Sequence, residues 1–151
     1  MPQSYGPVYL HIVFGTKRRE AVLTPQLHTD FARYITPILH DCKARLIAEG
    51  GMPDHVHILI DLGRESSVSK VLREIKSKSS AWLREKLEKD FSWQGGYGVF
   101  SVSASHIKNV VHYIENQEEH HRNKTFQEEF EEMLKAAGIE YGTKYFLKDD
   151  D

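Results

Sequence analysis

The sequence predicts an α+β protein with a ferredoxin-like, or RRM-like, four-stranded antiparallel sheet, helices packed on one face, and extra C-terminal helices. Three observations predict this class. Four short segments are predicted as strands, three of them rich in β-branched or aromatic residues. Two longer segments carry apolar residues at helical spacing, and the order is strand, helix, strand, strand, helix, strand. The length suits a single domain over residues 1–151. Within it we expect a core over about residues 8–124 and an acidic helix and tail over about residues 125–151.

The first strand and the first helix come from the N-terminal quarter of the chain. Val8 to Phe14 is predicted as a strand that Gly15 ends. Thr24 followed by Pro25 indicates a helix start, with threonine as the N-cap and proline at the first helical position. Apolar residues then recur at helical spacing past Pro37, where we expect a kink or a break because proline lacks the amide donor.

A hairpin and a second helix follow. Residues 44–49 predict a short second strand, residues 50–53 a turn, and the segment from His55 to Asp61 a third strand. Two strands joined by so few residues predict an antiparallel hairpin. Ser66 or Ser67 can cap the next helix, which we expect to continue to about Lys89.

The C-terminal half supplies the last strand and two further helices. We expect the fourth strand over residues 99–103 and one continuous helix from about Ser105 to His121. An acidic helix over residues 125–137 follows, with Gly138 at its end, and then a tail over residues 139–151 that closes with three aspartates.

The third strand carries two histidines one residue apart. Side chains alternate faces along a strand, so His55 and His57 share one face while Val56, Ile58 and Ile60 share the other. Two imidazoles side by side can bind a divalent metal. From this segment alone, an edge strand whose histidines face solvent is an equally good interpretation.

Composition and charge restrict the function classes. One cysteine excludes an internal disulfide and a thiolate zinc cluster. We find neither an apolar run long enough to span a bilayer nor a signal peptide, and therefore expect a cytoplasmic protein. The net charge is −2, with a basic surplus over residues 61–110 and an acidic surplus over residues 111–151, so a polyanion would need a local basic patch. The candidate residues for that patch are Lys17, Arg18, Arg19, Lys70, Arg73 and Lys76.

The helix from Ser105 offers a second half of a site. Tyr113 and Gln117 lie four residues apart and therefore on one helical face, with His120 near the same line. A metal on the two histidines could polarise a phosphodiester, Gln117 could add a ligand, and Tyr113 could attack phosphorus. An ordinary boundary tyrosine beside a surface amide is the alternative interpretation.

Taken together, these motifs resemble the single-tyrosine HUH transposases of the IS-200/605 insertion-sequence family. The resemblance covers roughly residues 8–130 and rests on the following segments: His55-Val56-His57, Tyr113-Ile114-Glu115-Asn116-Gln117, His120-His121, Lys17-Arg18-Arg19, Gly51-Met52-Pro53-Asp54 and Gln94-Gly95-Gly96-Tyr97-Gly98.

The resemblance implies a role for each matched position. His55, His57 and Gln117 would bind Mg²⁺ or Mn²⁺, and Tyr113 would form a 5′-phosphotyrosine link to single-stranded DNA. His120 would be an accessory residue. Members of the family are dimers in which the tyrosine helix of one subunit can complete the histidine site of the other. They recognise hairpins at the ends of their element and move it as single-stranded DNA.

Other functions stay open at this point. The chain could be a host-domesticated REP-associated tyrosine transposase, or a replication initiator or relaxase, although these last are usually larger. A non-catalytic single-strand binder on an RRM-like sheet would stack bases on Tyr9, Phe14 and Phe100. A two-motif histidine phosphodiesterase is disfavoured, because the other histidines do not form a matching second motif.

Overall fold

The computed structural model describes residues 2–140 and confirms the predicted fold class. The strands pair antiparallel in the order β2-β3-β1-β4, which is the ferredoxin-like arrangement. The predicted acidic tail lies mostly outside the described residues. The bounds of the elements are β1 Tyr9–Gly15, α1 Pro25–Asp41, β2 Arg45–Met52, β3 His55–Asp61, α2 Val68–Leu87, β4 Gly98–Val102, α3 Ile107–Glu115, α4 Gln117–His120 and α5 Phe126–Ala136, with 3-10 turns at Lys17–Arg19 and Ala104–His106.

The main core fills the space between one face of the sheet and helices α1 and α2. Alternate residues of the two central strands face it, and these are Leu10, Ile12 and Phe14 of β1 and Val56, Ile58 and Ile60 of β3. The intervening residues of both strands face the opposite side of the sheet. The period-two pattern therefore places His55 and His57 on the second face, as the sequence predicts.

Helix α1 begins as predicted but does not break at its internal proline. The Thr24 side chain accepts a hydrogen bond from the Leu27 amide, and Pro25 is the first helical residue. We expected a kink or a break at Pro37. The expectation of a break is wrong, because the helix continues to Asp41. Ile35 and Ile38 are buried on either side of the proline, so core packing outweighs the one lost backbone hydrogen bond.

Strand β2 is longer than the sequence indicates. It continues through Gly50 and Gly51 to Met52, and the turn consists of Pro53 and Asp54. The predicted turn at residues 50–53 is therefore wrong for its first three residues, which pair with β3. A side chain at Gly50 would overlap the backbone carbonyl of Ile114, so glycine at this point lets α3 lie directly against the strand.

The predicted helix from Ser105 to His121 is broken into two helices. Asn116 leaves helical geometry, with φ −115° and ψ 34°, and its side-chain amide donates a hydrogen bond of 2.7 Å to the His112 carbonyl. Asparagine competes in this way for backbone groups and favours helix ends. After the break, His120 is exposed with its ring centroid 4.5 Å from that of Tyr113, whereas the His121 side chain is nearly buried.

Helices α3 to α5 lie on the second face of the sheet. A small apolar cluster holds α5 there, formed by Val13 of β1 with Phe126, Phe130 and Leu134, and flanked by Phe100 and Met133. Thr125 and Glu128 form a capping box at the start of the helix. Over residues 2–140 no helix is both long enough and apolar enough to cross a membrane.

Candidate active site

The two histidines of β3 lie under the C-terminal helices and are fully buried. The His55 ring stacks on Phe126 with ring centroids 4.1 Å apart, and the His57 ring meets Tyr113 edge-on at 5.6 Å. The interpretation as solvent-facing histidines of an edge strand is therefore wrong. β3 is a central strand, and its second face is covered.

A carboxylate from α5 occupies the centre of the site. Glu129 Oε1 lies 3.3 Å from His55 Nε2 and 3.2 Å from His57 Nε2. It also lies 3.0 Å from Nε2 of His121, in the segment between α4 and α5. Glu129 is 4% exposed. Neither Glu129 nor His121 was among the candidate residues taken from the sequence.

The candidate nucleophile and the candidate amide ligand reach the same cluster. The Tyr113 hydroxyl donates a hydrogen bond to Glu129 Oε2. Gln117 Oε1 lies 3.2 Å from His55 Nε2, while the Gln117 amide nitrogen lies 3.4 Å from the Tyr113 carbonyl and donates to it. All four predicted chemical residues therefore meet within a single chain.

Further polar groups fix the orientation of the two strand histidines. His55 Nδ1 lies 2.7 Å from Asp54 Oδ1, in the hairpin turn. His57 Nδ1 lies 2.8 Å from Nε2 of His11, a buried neighbour on β1. Such outer contacts orient imidazoles that bind metals, and they determine which ring nitrogen stays free.

Burial and charge shift the ionisation of the cluster. Burial lowers the pKa of His57 to about 4 and that of His11 to about 3, so both rings are neutral near pH 7. Burial would raise the pKa of Glu129, but the neighbouring imidazoles of His121, His55 and His57 hold it well below its ordinary value.

The same environment affects the nucleophile. Burial, reinforced by the negative charge of Glu129, raises the pKa of Tyr113 well above its ordinary value. A phenol in this arrangement is protonated at neutral pH, so it needs activation before it can attack.

The cluster has the chemistry of a metal centre. One ligand atom from each of His55, His121 and Glu129 can be chosen so that all three lie within 4.8 Å of one another, close enough for a single ion to contact them. Imidazole nitrogen with carboxylate and amide oxygen is a donor set that suits a divalent first-row ion such as Mn²⁺. Mg²⁺ prefers oxygen ligands and retained waters, so the imidazoles fit it less well.

The predicted basic residues differ in their surroundings. Arg19 places its guanidinium 5.7 Å from the Phe126 ring centroid, close to the histidine cluster, and Arg18 is exposed beside it. Lys70 and Arg73 are exposed on α2. Lys76 instead donates hydrogen bonds of 2.8 Å to the carbonyls of Gln94 and Gly96, so in this structure its ammonium holds the loop before β4.

The RRM-like alternative required aromatic residues on an open sheet face. Phe14 is fully buried in the main core, where it packs edge-on against Trp93 at 4.8 Å. Its ring therefore faces α1 and α2. The second face carries His11, His55 and His57 beneath α3 to α5, so it offers no open stacking platform in the described part of the chain.

Comparison with known sequences identifies the family. The sequence model of the family described as "Transposase IS200 like" matches residues 4–117, which is most of the chain. The ISDra2 transposase TnpA of Deinococcus radiodurans is 25% identical to this chain over 127 residues, covering 78% of this chain and 91% of that protein.

Solved structures show the same fold. A provisionally assigned transposase from Deinococcus radiodurans superposes with a TM-score of 0.60 at 23% identity, covering 78% of this chain and 98% of that one. A REP-associated tyrosine transposase, solved bound to a REP hairpin, gives a TM-score of 0.56 at 19% identity, covering 100% of this chain and 93% of that one. From the family match over residues 4–117, the chain belongs to the IS200-like transposases, a family of DNA-cleaving enzymes.

Proposed function

We propose that this transposase nicks and rejoins single-stranded DNA at hairpin-marked ends through a covalent 5′-phosphotyrosine intermediate on Tyr113. The observation that carries the proposal is the convergence of Tyr113 and Gln117 on the buried pair His55 and His57. A phenol, two imidazoles and an amide in one buried cluster have the composition of a phosphoryl-transfer site.

The reaction exchanges one phosphodiester bond for another. The Tyr113 oxygen forms a bond to phosphorus as the bond from phosphorus to the 3′ oxygen breaks. The phenolic proton is lost and the departing 3′ oxygen gains one, so the products are a 5′-phosphotyrosine and a free 3′-hydroxyl. Rejoining is the reverse attack by a 3′-hydroxyl, and because each step exchanges equivalent bonds it needs no external energy source.

The chain's residues prepare this step in defined ways. Asp54 and His11 orient the two strand histidines, and Gln117 is tied to the backbone of Tyr113. Mg²⁺ or Mn²⁺ on the histidine cluster would supply Lewis-acid polarisation of the scissile phosphate. Tyr113 donates a hydrogen bond to Glu129 in this structure, and this bond leaves the lone pairs of the phenol oxygen available to attack phosphorus.

The partner we propose is single-stranded DNA that carries hairpins. Support comes from the related transposase solved with a hairpin and from basic residues at the surface. Arg18 is exposed and Lys17 and Arg19 are half-buried after β1, while Lys70 and Arg73 are exposed on α2. A homodimer stays a prediction, because one chain already unites both halves of the site.

A denaturing gel tests the proposal. Full-length protein is mixed with single-stranded DNA from the hairpin-forming flanks of its gene, with and without Mn²⁺. We expect a metal-dependent band of protein-linked DNA that Tyr113→Phe abolishes while DNA binding persists. Tyr34→Phe is the matched control, because the Tyr34 hydroxyl bonds the Lys78 carbonyl away from the cluster. A band formed by Tyr113→Phe would refute the assignment of the nucleophile.

A further inference from the structure

The match to the family's sequence model ends at Gln117, but two side chains of the histidine cluster lie beyond it. His121 and Glu129 lie in the C-terminal extension, by which we mean the described residues after Gln117. Glu129 Oε1 lies 3.3 Å from His55 Nε2 on β3 and 3.0 Å from His121 Nε2. We infer that His121 and Glu129 are themselves metal ligands, so that the extension completes the metal centre within one chain. The inference rests on the proposed function, because it extends the same site.

The hydrogen bonds of His55 leave one ring nitrogen free to bind a metal. Its Nδ1 lies 2.7 Å from the Asp54 carboxylate, which only accepts hydrogen bonds, so Nδ1 carries the proton. In the neutral ring Nε2 then has a lone pair. That lone pair faces two oxygens, Gln117 Oε1 at 3.2 Å and Glu129 Oε1 at 3.3 Å. A positive charge among these three atoms, either a proton on Nε2 or a bound metal ion, removes their mutual repulsion, and a metal ion can contact all three at once.

His121 repeats this arrangement from the opposite side. Its Nδ1 lies 2.8 Å from the carbonyl of Lys124 and donates to it, so in the neutral ring Nε2 is the free nitrogen. That Nε2 lies 3.0 Å from the same oxygen of Glu129. An imidazole whose other nitrogen donates to a carbonyl or carboxylate is the usual arrangement for a histidine that binds a metal. Two such imidazoles directed at one carboxylate oxygen indicate a shared ion.

The fold holds the extension against the site. Phe126 stacks on the His55 ring, and Phe130 packs in the second apolar cluster. A side chain at Gly15 would come within 2.9 Å of the Phe126 ring, so glycine there leaves room for the helix to approach β1. Glu129 lies between these two phenylalanines in sequence, and its position in the cluster follows from the docking of α5.

Glu129 also connects the metal centre with the nucleophile. One carboxylate oxygen faces the imidazoles, while the other accepts the hydrogen bond from Tyr113. A ligand shared in this way would hold the phenol next to the ion. This arrangement needs neither a second subunit nor DNA to assemble the centre.

Binding of Mn²⁺ to the full-length protein without DNA tests the inference. The electron paramagnetic resonance signal of free Mn²⁺ is followed during titration, and thermal melts confirm that each variant folds. We expect Glu129→Gln and His121→Phe each to weaken Mn²⁺ binding by at least about tenfold. Glu131→Gln removes the same charge from the same helix away from the cluster and should change the affinity less than twofold. Pulsed measurements should show fewer imidazole nitrogen couplings to Mn²⁺ in His121→Phe.

His57→Ala separates failure of this inference from failure of the proposed function. If His57→Ala loses Mn²⁺ while Glu129→Gln and His121→Phe bind like wild type, the extension supplies no ligands and the inference is refuted. Tighter binding by Glu129→Gln would refute it as well, because Glu129 would then occupy the place of the ion. Unchanged binding by His57→Ala would overturn the metal centre of the proposed function itself.

Discussion

Truncation of Phe130 should release helix α5 from the sheet and leave the main core intact. Phe130 is 5% exposed, and its ring lies 5.9 Å from Phe126 and 6.3 Å from Phe100. Phe→Ala at a buried site costs about 3–5 kcal/mol. Because the second cluster is separate from the main core, this cost should fall on the docking of α5. Since about 1.4 kcal/mol corresponds to a tenfold change in an equilibrium constant, the equilibrium constant for docking of α5 should fall by at least about a hundredfold.

Hydrogen exchange measured by mass spectrometry resolves this effect by segment. Backbone amides of α5 in Phe130→Ala should exchange at least about a hundredfold faster, or lose protection entirely, while those of α2 stay unchanged. Phe91→Ala is the matched control, since Phe91 is equally buried but lies in the main core. It should reduce protection across the sheet, α1 and α2. Unchanged exchange in α5, or an equal loss in α2, would show that α5 is not a separately docked unit.

Two further predictions concern the approach of α3 and the DNA contacts. Gly50→Ala should push α3 away from β2, because the added methyl group would overlap the Ile114 carbonyl, and should therefore slow adduct formation by at least about tenfold; an unchanged rate would show that the strand accommodates the methyl group. The double charge reversal Lys17→Glu with Arg18→Glu should weaken single-stranded DNA binding and flatten its dependence on salt, with the slope of log K against log salt falling by about one to two. Titrations at several KCl concentrations measure this slope, and an unaltered slope would place the phosphate contacts elsewhere.

The strand half of the site was predictable from the sequence because its geometry is local. A period of two along β3 is enough to place His55 and His57 on the face opposite Val56 and Ile58. Helical spacing likewise brought Tyr113 and Gln117 to one side of a helix. The fold class followed from the order of the elements alone.

The errors came from residues whose conformation depends on distant packing. Pro37 is accommodated within α1 because buried neighbours hold the helix on both sides. Gly50 and Gly51 belong to a strand rather than to a turn, since both pair with β3 and α3 packs against Gly50. A turn predicted from glycine content takes no account of packing by a helix that lies some sixty residues further along the chain.

The failure to predict Glu129 as a site residue has the same cause, since its position also depends on distant packing. Glu129 lies 72 residues from His57 in sequence, and only the docking of α5 brings them together. One signal was nevertheless present. Glu129 falls within the apolar stripe that includes Phe126 and Phe130, and a carboxylate on the buried face of a helix requires a partner. His121 lies four residues after Gln117, so helical spacing also offered it as a neighbour of Gln117.

The most direct test of the central claim is to identify the residue that becomes attached to DNA. The protein is incubated with hairpin-containing single-stranded DNA from the flanks of its gene and Mn²⁺, treated with nuclease and trypsin, and examined by mass spectrometry. Tryptic cleavage after Lys108 and Arg122 gives a peptide of residues 109–122 in which Tyr113 is the only tyrosine. We expect this peptide to carry the nucleotide remnant. A remnant on any other peptide would contradict the assignment of Tyr113 as the nucleophile.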